Sequence, residues 1–116
     1  MWLFTPEGFV SVVADRDQPA DGRLLMRARA RHHLEALLPK GGEIFQVPKS
    51  DYAWRAWISR EQLKQVLAAA IDELDYPNFK NAIEERAYHD ACMGVWEEMY
   101  LYQLNRQGPN SQGLNR

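Results

Sequence analysis

The chain has 116 residues, 46% of them hydrophobic, with 14 basic against 16 acidic side chains and a formal net charge of −2. That length supports one domain with a real core, the apolar share excludes wholesale disorder, and the charge argues against a generic, strongly basic nucleic-acid binder. The single cysteine, Cys92, excludes an intramolecular disulfide.

Residues 2–4 and 9–14 are rich in aromatic and β-branched side chains and read as two strands. Thr5-Pro6-Glu7-Gly8 between them is a turn signal, so a hairpin is expected. Residues 15–22 collect Asp, Pro and Gly and read as a loop. Residues 24–30 alternate: Leu24, Met26, Ala28 and Ala30 point one way, and Leu25, Arg27, Arg29 and the following Arg31 the other. A short helix follows, with Leu34, Leu37 and Leu38 as its buried stripe, stopped by Pro39-Lys40-Gly41-Gly42. Residues 43–47 and 52–58 read as strands around a turn.

Ser59-Arg60-Glu61-Gln62 is a capping box and opens a second helix. Leu63, Val66, Leu67, Ala70, Ile71 and Leu74 then recur on one helical face. Asp75-Tyr76-Pro77 breaks that helix, and Pro77 suits the first turn of a third, expected to run to about residue 104. The third helix carries two clusters rotated by about half a turn: Phe79, Ala82, Ile83, Arg86 and Ala87, then Cys92, Val95, Trp96, Met99, Tyr100 and Tyr102. One straight helix on one core cannot bury both. The expectation is a break near Gly94 that folds the second half back, or a symmetric dimer contact through it. Residues 1–104 form the expected domain, and the polar stretch 105–116 is read as a flexible tail.

Met26-Arg27-Ala28 and Trp54-Arg55-Ala56 each lead from a strand into an amphipathic helix. This echo suggests a ββα–ββα pseudo-repeat within an α+β fold, an antiparallel sheet with helices mainly on one face. Three further features go together: Met1-Trp2-Leu3-Phe4-Thr5 with Gly8-Phe9-Val10-Ser11-Val12-Val13, the Arg-Ala-Arg strand, and Asp75-Tyr76-Pro77-Asn78-Phe79-Lys80 with Val95-Trp96. In these the chain resembles a set of small uncharacterised bacterial and phage proteins. The resemblance implies no activity and transfers no functional residue.

Two surfaces are candidate sites. Arg27, Arg29, Arg55 and Trp57 share the sheet face away from the second helix, where arginine and aromatic side chains suit phosphates, bases or acidic protein surface. Ordinary ion pairs are the competing explanation for these arginines. Val95, Trp96, Met99, Tyr100 and Tyr102 are the candidate interface. His32, His33, His89 and Cys92 lack the spacing of a zinc site, no phosphate loop or nucleophile elbow occurs, and Cys92 reads as a packed hydrophobe. No catalytic residue, metal or cofactor is expected. The expected function is non-enzymatic binding through a protein–protein surface, as a homodimer or as a phage-type inhibitor or adaptor of a bacterial complex. RNA or nucleotide binding on the arginine face is the alternative. The N-terminus has no signal-peptide pattern and no stretch is apolar enough to span a bilayer, so a cytoplasmic location is expected.

Overall fold

The computed structural model describes residues 1–17 and 20–107. They fall into two compact units, Met1–Phe79 and the part of Lys80–Arg116 up to residue 107. The fold is α+β. In the first unit five strands form one antiparallel sheet: β1 (Trp2–Thr5), β2 (Gly8–Val13), β3 (Leu24–Ala28), β4 (Phe45–Gln46) and β5 (Trp54–Ile58). Their order is β1-β2-β3-β5-β4.

The β1–β2 turn closes on itself. The Thr5 hydroxyl donates to the Gly8 carbonyl at 3.1 Å, and the Gly8 N–H donates back to Thr5 Oγ1 at 3.2 Å. Glycine is required at position 8, because a Cβ there would meet the Cβ of His33 at 2.7 Å. His33 belongs to helix α1 (Arg31–Leu37), and its Nδ1 accepts from the Phe9 N–H at 3.2 Å. The first turn of α1 is thereby keyed onto the hairpin. No side chain caps α1 at Ala30, so tertiary contact does the work that local sequence does for α2.

Helix α2 (Arg60–Asp72) has the predicted capping box. Gln62 N–H donates to Ser59 Oγ, and Ser59 N–H donates to Gln62 Oε1, both at 3.0 Å. Two of the four orphan donors at a helix start are thus satisfied locally. Helices α1 and α2 pack on the same sheet face. Its core is Val10, Val12, Leu24, Met26, Ala28, Ala56 and Ile58, closed by Leu34 of α1 and Leu63 of α2.

The two echoes meet at the centre of the sheet. Arg27 pairs with Arg55, Met26 with Ala56 and Ala28 with Trp54. The residue before each arginine thus faces the residue after the other, as a local two-fold axis through the Arg27–Arg55 pair requires. Strand β1 lies outside this symmetric part.

Several boundaries differ from the sequence reading. Strand β4 has only two residues, and β5 begins at Trp54, because Tyr52 is drawn into the preceding turn. Along α2 the apolar stripe is buried only at Leu63, while Ile71 and Leu74 are exposed. In the second unit a 3-10 turn (Lys80–Ala82) precedes helix α3 (Arg86–Gln107). The third helix therefore does not start at Pro77. Asn78 lies just before the 3-10 turn and Asn81 within it, and asparagine side chains offer the backbone alternatives to helical hydrogen bonds. Helix α3 runs unbroken through Gly94, where no fold-back occurs, and residues 105–107 of the expected tail are its last turn. The remainder of that tail, 108–116, lies outside the described residues. No helix is long and apolar enough to cross a membrane among the described residues.

Candidate functional site

The first candidate surface is built around Tyr52. The turn before β5 is tight: Ser50 N–H donates to the Val47 carbonyl at 3.3 Å, and Lys49 takes the left-handed backbone at φ 67°. Ser50 Oγ then donates to the Tyr52 carbonyl at 2.7 Å and accepts from the Tyr52 N–H at 3.1 Å. This lays Ser50, Asp51 and Tyr52 over the sheet face opposite the helices.

Three arginines converge there. Arg27 and Arg55 are directly opposed in the β3–β5 ladder, and Ser11 of β2 lies across from Arg27 on the other side. Arg27 Nη2 donates to Ser11 Oγ at 2.8 Å. Arg55 donates from Nε to the Tyr52 carbonyl at 3.1 Å and from Nη2 to Ser50 Oγ at 2.9 Å. Arg29, just beyond β3, donates from Nε to the Asp51 carbonyl at 3.2 Å. The guanidinium carbons of Arg27 and Arg29 each stand 4.5 Å from the centre of the Tyr52 ring. Tyr52 itself is buried.

Like charges facing each other across a ladder destabilise a sheet. Here they are tolerated through neutral oxygens and the face of one aromatic ring. The sole carboxylate within 4.0 Å of these guanidinia among the described residues is Asp51, at 4.0 Å from Arg55, and its side chain is 69% exposed. Carboxylate pairing, the ordinary explanation for an arginine stripe, is therefore almost absent. Arg27 Nε is buried without a hydrogen-bond partner among the described residues.

Trp57 lies on the same face but belongs to a different neighbourhood. It pairs with Leu25 in the ladder, and Arg23 stands 5.9 Å from its ring centre. Arg23 is itself held by Asp21 at 3.0 Å. An aromatic row continues from Tyr52 towards β1: Phe9 at 6.3 Å, Phe4 stacked on Phe9 at 4.4 Å, and Trp2 edge-on to Phe9 at 5.9 Å. Sequence reasoning passed over Tyr52, Ser11 and Ser50. Ser11 was findable, since alternation along β2 puts it on the arginine face. Tyr52 was not, because reading it as a strand residue hides its role in the turn.

The second candidate surface is α3. Tyr88 and Cys92 are buried, but from Val95 onward every residue is exposed. Exposure is 50% at Trp96, 60% at Met99 and 56% at Tyr102, with Val95, Tyr100, Leu101 and Leu104 also open. Trp96 stacks on Tyr100 at 5.4 Å, one helical turn away, and Lys80 Nζ sits 4.6 Å from its ring centre. Near the helix start, Asp90 is held below the usual carboxylate range by its hydrogen bond to His89 and, secondarily, by Arg86. Burial pushes the Cys92 thiol up, against a smaller opposing effect from Tyr88.

No family model, curated protein or solved structure matches the chain. No activity therefore reaches it from a relative.

Proposed function

We propose that this protein is a non-enzymatic binding protein whose working surface is the second half of α3. The observation that supports it is the run of seven exposed large apolar side chains between Val95 and Leu104. Together they offer on the order of 700 Å² of surface, comparable with the ~800 Å² per partner of a standard interface. Trp, Tyr and Met dominate, the types enriched at interface centres, and a patch this large is costly to leave in water.

The partner argued for is a second copy of the chain. Val95, Met99 and Tyr102, all exposed, follow one another at steps of four and three residues along α3, with Trp96 beside Val95. That is the period of a seam that packs against a like helix. The test is Trp96→Glu combined with Met99→Glu, measured by light scattering with circular dichroism as a fold control. A wild-type dimer converted to a folded monomer supports the reading. A wild-type monomer at high concentration overturns the homodimer; the inhibitor or adaptor role then requires a host protein whose capture both substitutions abolish.

A further inference from the structure

We propose that Arg27, Arg29 and Arg55, gathered round Tyr52, form an oxyanion site that takes a phosphate group. The phosphate is supplied by a mononucleotide or by the backbone of a single-stranded nucleic acid. This site lies in the first unit and is independent of the α3 surface.

The charge is out of balance. Arg27 and Arg29 share one ring, Arg29 and Arg55 share one turn, and the carboxylate the three have is at 4.0 Å and largely in solvent. Donors are also left over. Each guanidinium carries five N–H groups in one plane, of which the described contacts engage one in Arg27, one in Arg29 and two in Arg55. Arg27 Nε has no partner among the described residues. Finally, the groups are already in place. Ser11, Ser50 and the carbonyls of Asp51 and Tyr52 fix the planes of the three side chains, so little side-chain freedom remains to be lost on binding.

Access is from the Arg29 side, which is exposed, and the Arg55 side chain keeps 20% of its surface open. A carboxylate would leave much of this charge uncompensated. A phosphate presents more oxygens and more charge to planar forks, the geometry arginine recognises best. The aromatic row gives a base somewhere to stack: Trp2 is 68% exposed and stands edge-on to Phe9, the neighbour of Tyr52.

The experiment is calorimetric titration of the intact protein at low salt with inorganic phosphate, AMP and a short oligouridylate. Arg29→Ala is the central variant, because Arg29 is exposed, its hydrogen bond goes to a backbone carbonyl and its other contact is with the face of the Tyr52 ring, so its loss removes no core side chain. It should weaken binding at least about tenfold with an unchanged circular dichroism spectrum. Arg60→Ala, an exposed arginine at the start of α2, should leave binding unchanged. AMP binding no weaker than the oligomer identifies the mononucleotide source. Tighter oligomer binding, falling with salt by a log–log slope of about −0.7 per phosphate, identifies the single strand. No heat with any of the three probes overturns the site. So does equal binding by the Arg29→Ala protein, or an equal loss in Arg60→Ala.

Discussion

Arg27 and Arg55 face each other across the central ladder of the sheet, each being the first residue of an Arg-Ala step that leads towards a helix. Alternation along β3 and β5 turns both arginines to the sheet face opposite the core, and the ladder register sets them side by side. Their repulsion is met by Ser11, Ser50, the Tyr52 carbonyl and the Tyr52 ring rather than by acids. The pair is thus held in place yet left with charge to offer.

Gly8 and Gly94 should respond oppositely to alanine. A Cβ at position 8 would meet His33 atoms, including its Cα at 2.8 Å, whereas one at position 94 meets nothing within 4 Å. Gly8→Ala should cost about 1–3 kcal/mol by forcing α1 off the hairpin. Gly94→Ala should gain up to ~1 kcal/mol by removing glycine from a helix interior. Urea unfolding curves of the two variants check both signs; a neutral Gly8→Ala would mean α1 is not keyed to the turn.

Leu34 is fully buried between α1 and the sheet. Leu34→Ala should destabilise by about 2–5 kcal/mol, the range for cavities in close-packed cores. Ile71→Ala, at a side chain 70% exposed, should change stability by less than about 0.5 kcal/mol. Similar losses at both positions in thermal melts would show that α2 buries its whole stripe in solution.

Ser59→Ala removes the acceptor for the Gln62 N–H and should cost ~1 kcal/mol. Ser59→Asp should restore most of it, because the carboxylate both accepts that bond and meets the positive end of the helix. Denaturation midpoints of the three proteins decide the matter, and an Asp variant no better than Ala would sink the capping argument.

Cys92 should resist alkylation in the native protein and react readily once unfolded. Burial raises its thiol above the ordinary value, so the folded state holds the proton more firmly than the unfolded state. The resulting stability is complete below roughly pH 8.5, the ordinary thiol value, and is lost as pH rises through the raised native value. Iodoacetamide modification rates with and without urea, and melts on either side of that value, test the two halves. Equal rates would place the thiol at the surface.

Asp90 has the opposite sign. Its native carboxyl is held low, first by His89 and then by Arg86, so its contribution is present above roughly pH 4 and disappears as pH falls through the lowered value. Asp90→Asn should flatten the acid side of the stability curve over that window. An unaltered acid limb in the variant would mean the contacts with His89 and Arg86 are not kept in solution.

Local pattern alone specified much of this protein. Alternation in β3 and β5 put the arginines on one face, the Thr5-to-Gly8 turn set the hairpin, and the Ser59–Gln62 box started α2, because each depends on residues within a few positions of one another. The strand order around β3 and β5, and so the meeting of Arg27 with Arg55, needed the chain to close over distance. The 47–52 turn is closed by bonds between residues a few positions apart, but its landing on Arg27 and Arg29 depends on the pairing of β5 with β3. The fate of α3 also lay beyond local pattern. Its period showed two apolar patches, but only the tertiary structure decided between a break at Gly94 and a continuous helix with its second half uncovered. Periodicity reports which residues share a face; whether anything covers that face depends on the remaining chain or on a partner.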